Sequence, residues 1–173
     1  MIARKLIELI ERNADRMVTR LLATVAEHPR TQIFHKNVPP QELRERAYEI
    51  YKHLSVWLHE KTDDDIRHTF FSAGTRRAIQ KVPLAEVHFA LLLIKQSLWR
   101  EIKLSGFGDT SIELFQTLEL LERVDQFFDK AIYYLTAGFE HACSTGQADW
   151  KADTDKEHAQ FKELQHLVLP WWP

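Results

Sequence analysis

A histidine, a lysine and an aspartate stand where a helical core would place leucine. In the stretch "PLAEVHFALLLIKQSLWREI", Leu84, His88, Leu91, Lys95, Leu98 and Ile102 fall within a narrow arc of a helix that turns about 100° per residue. His88 and Lys95 therefore point with the leucines, toward the core side. Asp125 takes the seam position between Leu121 and Phe128 of a later helix, so a carboxylate is aimed inward too. Buried without a partner, such a group costs on the order of several kcal/mol. An antiparallel hairpin turning near Phe107 brings His88 level with Asp125 to within about one turn, and Asp125 is expected to bond to His88 or Lys95. Two chemistries suit the trio. One is a satisfied polar cluster in the core. The alternative is a haem or small-effector pocket in an apolar cleft, formed by His88, Lys95 and Asp125, with His88 as the axial ligand of the iron.

Other groups lack the spacing their chemistry needs. Nine histidines invite a metal reading, yet a di-iron bundle requires two Glu-x-x-His repeats and only Glu163 to His166 has that form. His-Glu-x-x-His is absent, and the single Cys143 excludes a thiolate zinc site. His59 followed by Glu60 has the form of a phosphoacceptor box, but no glycine-rich nucleotide loop accompanies it. Arg76 and Arg77 could grip a phosphate, although charges on an outward helix face are ordinary. The acids of "TDDD" suit a helix start, with Thr62 as N-cap and Asp63 to Asp65 over the unsatisfied N–H groups of the first turn. With no nucleophile–base pair, metal spacing or phosphate loop, the sequence gives no sign of an enzyme. Trp171 and Trp172, in the closing "PWWP", are candidate partner-binding residues, because tryptophan buries a large area when it finds a groove.

What must position these groups is a set of amphipathic helices. Hydrophobic residues make up 45% of the 173 positions and charged residues 28%, with only 5 Gly and 6 Pro, which is the composition of one folded helical domain. A net charge of -2 gives no footprint for nucleic acid or an anionic membrane. The longest apolar run, Phe89 to Ile94, is far short of the ~20 residues that span a bilayer. One cysteine and no secretory leader pattern make the cytoplasm the expected compartment.

Five main helices are predicted. The first runs from Ile2 to Ala26, and the prolines of "HPRTQIFHKNVPP" make the next stretch a loop. Leu43, Ala47, Ile50, Leu54 and Trp57 mark a second helix from Pro40 to Lys61. The third carries Phe70 and Gly74, and the glycine implies close approach of a neighbour, since it costs about 1 kcal/mol relative to Ala in a helix interior. The fourth starts at Pro83 and ends near Leu104. Thr110 and Glu113 form a capping box ahead of the fifth, which keeps seam spacing to Ala142 and is expected to bend at Gly138. Thr154 with Glu157 precedes a short amphipathic helix bearing Phe161, Leu164 and Val168.

The run from Gly74 to Ile102, G-x-x-R-A-x-Q-x-x-P-L-x-E-V-x-x-A-L-x-L-x-K-x-x-L-W-x-x-I, resembles the amino-terminal sensory domain of RsbR and its paralogues, the RsbRD type. The long first helix, the Leu/Ala seam of the second and the aspartate of the fifth share the likeness, which covers roughly residues 1–145. The resemblance implies a non-haem, globin-like, all-α domain that pairs as a homodimer and passes a stress signal to an output domain. It makes Gly74, Arg77, Ala78 and Gln80 part of a packing signature, continued by Glu86, Leu91, Lys95, Leu98 and Trp99. Members carry an output domain after this one, whereas about 28 residues come after it here, so a stand-alone adaptor role is expected. The reading is thus an all-α, globin-like or bundle-like domain over 1–145, then 146–173 as linker, short helix and PWWP tail. It would act without cofactor or metal as a non-enzymatic signalling module, through a second copy and a signalling protein partner.

Overall fold

The spacing of three and four residues becomes helix in the computed structural model of the protein, which describes residues 2–105 and 110–147. Among these residues there are eight helices and no strand: α1 (Ile2–Arg12), α2 (Ala14–Glu27), α3 (Gln32–Asn37), α4 (Pro40–Lys52), α5 (Leu54–His59), α6 (Asp63–Ile79), α7 (Leu84–Leu104) and α8 (Ser111–Ser144). The all-α expectation holds, with the predicted segments subdivided. Asn13 (φ −91°, ψ 4°) separates α1 from α2, and His53 (φ −119°, ψ 35°) separates α4 from α5. Both residue types are poorer helix formers than alanine or leucine. The hydrogen-bond chain nevertheless crosses each break, Asn13 N donating to Leu9 O and His53 N to Glu49 O. The predicted proline loop contains a 3-10 turn (Pro29–Thr31) and α3. The helix expected after Thr154, with Phe161, Leu164 and Val168, and the pair Trp171 and Trp172 lie outside the described residues.

Helix starts arise where side-chain acceptors meet orphan N–H groups. Thr62 Oγ1 accepts from Asp65 N at 3.2 Å while Asp65 Oδ2 accepts from Thr62 N at 2.8 Å, a full capping box for α6. Asp63 turns instead toward α8, where Lys130 Nζ lies 2.9 Å from Oδ1 and the Tyr134 hydroxyl donates to Oδ2. At α8, Thr110 Oγ1 accepts from Glu113 N at 3.2 Å. The start of α3 is capped from a distance: Glu86 Oε2, on α7, accepts from Phe34 N at 2.7 Å.

The packing of α6 on α8 fixes the arrangement. They run in the same direction, Asp63 meeting Lys130 near one end and Thr75 Oγ1 donating to Gly138 O (3.1 Å) near the other. A Cβ placed on Gly74 would stand 1.9 Å from Leu135 O, and one on Gly138 would stand 2.0 Å from Phe71 O. Backbone thus lies on backbone, and two small residues four positions on, Ala78 and Ala142, are fully buried in the same contact. Gly138 serves this approach and not the expected bend, since α8 continues as one helix through it. Beyond the crossing the space fills with rings: Phe127 lies 5.8 Å from Phe70, 5.5 Å from Trp57 and 5.1 Å from Phe128.

Gly74→Ala is expected to cost about 2 kcal/mol or more, because the added methyl meets backbone that cannot move aside, outweighing the ~1 kcal/mol that alanine gains in an open helix. Urea unfolding reads the sign directly. A stabilised Gly74→Ala variant would mean that α6 and α8 stand too far apart for backbone contact.

Candidate functional site

The trio singled out by its residue types lies along the edge where α7 packs antiparallel on α8. Lys95 Nζ stands 2.9 Å from Asp125 Oδ1, and Trp99 Nε1 donates to the same oxygen at 3.2 Å. Lys103 stacks over the Trp99 ring, 5.6 Å from its centroid. Asp125 therefore does bond to Lys95. The pair is not interior: the Asp125 side chain is 41% exposed and that of Lys95 22%, so the charges keep part of their hydration and the bridge is worth at most about 1 kcal/mol.

His88 is not part of this cluster. Its Nε2 lies 2.8 Å from Thr136 Oγ1, eleven residues past Asp125 on α8, which is about 16 Å along a helix. Thr136 donates its own hydroxyl proton to Ile132 O (2.8 Å), so its oxygen accepts from an Nε2–H tautomer of His88. The structure thus places the three residues in two separate contacts, His88 with Thr136 and Lys95 with Asp125. The reason is rotational. The buried residues of α7 are Val87, Ala90, Leu91, Leu93, Ile94, Leu98, Glu101 and Ile102, an arc turned by roughly 60° from the predicted one on a helix of 100° per residue. His88 and Lys95 fall on its margin and are half-buried. The residues do not fit haem: the Nε2 of His88, the atom an iron would take, is bonded to Thr136 Oγ1, and Lys95 and Asp125 are paired to each other.

Sequence reasoning missed the buried charge. Glu101 lies in the core, its side chain 3% exposed, with Arg16 Nη2 at 3.0 Å from Oε2 and Arg20 Nη1 at 3.2 Å from Oε1, so both oxygens are paired to α2. Nearby, the fully buried Tyr51 of α4 donates its hydroxyl to Ile94 O at 3.2 Å. Burial and the Glu101 charge push that phenol well above its ordinary value, outweighing its hydrogen bond to Ser97. The available signals were the three-and-four spacing of Ile94, Leu98 and Glu101 and the one-turn spacing of Arg16 and Arg20.

The residues of the sensory-domain resemblance hold elements together. Arg77, 6% exposed, donates to Glu42 Oε1 at 2.8 Å, and Gln80 Nε2 donates to Glu42 Oε2 at 3.0 Å, which ties α6 to α4. Burial alone would raise the Glu42 carboxyl, but the Arg77 bond and charge, the Gln80 bond and the Arg76 charge hold it below its ordinary 4.5. Glu86 shows the opposite balance: burial raises its carboxyl despite the backbone N–H donors of α3. Leu91 and Leu98 fill the core, and Lys95 and Trp99 hold Asp125. Among the described residues no group of three His, Cys, Asp or Glu side chains is placed to hold a metal ion. A shallow depression of about 450 Å³ opens on the outer face of α8, lined by Asp129, Ile132, Tyr133, Thr136, Ala137 and Glu140.

Compared with known families, residues 11–148 match the model of the RsbT co-antagonist protein rsbRD N-terminal domain. No curated protein and no solved structure matches the chain.

The charges make two outcomes measurable. Arg77→Met is expected to cost about 3 kcal/mol, since it leaves Glu42 at 15% exposure without its main cation; a shift of less than a third of that in the urea midpoint at constant slope would show that Arg76 replaces it. Burial lowers the His88 pKa below its ordinary 6.5, so the unfolded chain binds the proton first and stability falls as pH drops below about 6.5. His88→Gln is expected to flatten the loss of melting temperature between roughly pH 7 and 5.5; an unchanged slope would place the titration elsewhere.

Proposed function

We propose that this chain, which belongs to the family of RsbT co-antagonist protein rsbRD N-terminal domains, is a non-enzymatic sensory and regulatory module of stress signalling that works by pairing with a second copy and binding a signalling protein. The module comprises residues 1–145, needs no cofactor, and resides in the cytoplasm. One observation carries the pairing. At the end where α7 and α8 meet, Leu104 and Ile112 are each 70% exposed and Phe115 is 74% exposed, with Leu114 and Leu118 beside them on the first turns of α8. Large apolar side chains gathered at one end of a domain mark an interaction surface, and a self-complementary patch joins two copies about a two-fold axis.

The compartment is supported by the free Cys143, and by the finding that no helix among the described residues is long and apolar enough to cross a membrane. The regulatory reading is supported by the charged side chains themselves. Glu42, Glu86, Glu101 and Asp125 are each taken up by partners on another element, so their role is assembly.

Sedimentation across a concentration series tests the pairing. The wild-type chain is expected to be dimeric at tens of micromolar, and Phe115→Glu with Leu118→Glu to weaken association at least tenfold, the effect of burying two like charges across a symmetric contact. A strict monomer at high micromolar concentration would overturn the reading.

A further inference from the structure

A second hollow lies where α2, α3 and α4 meet. It is a cavity of about 140 Å³ whose floor is Val25, Phe34, Val38 and Leu43, each no more than 5% exposed. Leu22, half-buried, and the exposed His35 and Pro40 frame its mouth. Backbone groups of the floor are already engaged. Val25 O accepts from the Thr31 hydroxyl at 2.7 Å, Phe34 N donates to Glu86 Oε2 at 2.7 Å, and Phe34 O accepts from Val38 N at 2.9 Å. Among the lining side chains only the His35 ring can form a hydrogen bond, and it stands at the mouth.

We infer that this cavity is a binding site for a small, uncharged, apolar molecule of about the size of benzene. Size and lining select that class together. An engineered cavity of roughly 150 Å³ lined by Leu, Ile and Phe takes up benzene or xenon, and the volume here is similar. A water molecule needs two to four polar partners, whereas this lining offers one. A charged or strongly polar ligand would give up its hydration on this floor without gaining hydrogen bonds in return. A close-fitting apolar ligand gains dispersion contacts and gives up nothing comparable. The site also touches the ties between helices. Phe34, in the floor, has the Arg77 guanidinium over its ring at 5.6 Å, and Leu43 directly follows Glu42, the partner of Arg77. A ligand held here rests on residues that join α3 to α6 and α7, and α4 to α6. The ligand class follows from the lining, and the pairing of two copies plays no part in it.

Benzene titrated into the full, methyl-labelled chain tests this by NMR. The methyl resonances of Leu22, Val25, Val38 and Leu43 are expected to shift saturably under the ring current of the bound benzene. Those of Leu98, in the main core, and Leu118, at the exposed end, are expected to stay in place. At ten times the half-saturating concentration the melting temperature is expected to rise by about 3 °C or more. Leu22→Trp, which carries a large ring into the mouth, is expected to weaken binding at least tenfold. Val25→Ala, which widens the floor, is expected to bind toluene at least threefold more tightly than the wild type does, so a tryptophan variant that fails to fold leaves the site under test. No saturable shift in the wild type, equal shifts at Leu118, or wild-type affinity in a folded Leu22→Trp would each overturn the inference. Toluene affinity unchanged by Val25→Ala would do the same. A chain found monomeric by sedimentation can still give the expected result.

Discussion

The contact of backbone on backbone between α6 and α8 constrains everything around it. Only glycine at positions 74 and 138 permits the approach, because any Cβ there would lie about 2 Å from a carbonyl oxygen of the facing helix. Once those two helices are locked in parallel, Asp63 meets Lys130 and Tyr134, Phe70 reaches Phe127, and Arg77 is turned to the side where α4 offers Glu42. With α6 occupying one flank of α8, α7 runs antiparallel along another, and among the described residues the remaining face carries the depression.

Around this crossing, single carboxylates fasten the remaining helices. Glu101 holds α2, Glu86 holds the start of α3, Glu42 joins α4 to α6, and Asp125 joins α7 to α8. Their energetics differ with their surroundings. Glu42 lies beside arginines and stays ionised to lower pH than an ordinary carboxyl, so its contribution is present above about pH 4.5 and lost on acidification. Glu86 is desolvated with only backbone N–H groups as donors, so its contribution is fully present below about pH 4.5 and is lost as pH rises through its raised value. The two carboxyl groups therefore push stability in opposite senses across the acid range.

Much of this arrangement could be read in the amino-acid sequence, and the misses have definite causes. The all-α class, the capped start of α6 at Thr62, the start of α8 at Thr110 and the purpose of Gly74 come from spacing and cap chemistry, which are local. Asn13 and His53 interrupt helices through modest intrinsic preferences that a periodic apolar pattern hides. The larger error concerned α7: its leucines occupy so much of the circumference that two arcs fit the same pattern, and the true one favours Val87, Ile94 and Glu101 over His88 and Lys95. Only the positions of α2 and α8 decide between those arcs. Arg16 and Arg20 draw Glu101 inward from one side, while Thr136 and Asp125 receive His88 and Lys95 at the other.

The uninterrupted length of α8 has a mechanical consequence. Its 34 residues form a stiff rod of about 51 Å, met by the backbone of α6 at Gly138. The exposed Phe115 and the crossing at Gly138 lie roughly 35 Å apart on this one rod, so the apolar end and the glycine contact belong to a single continuous element.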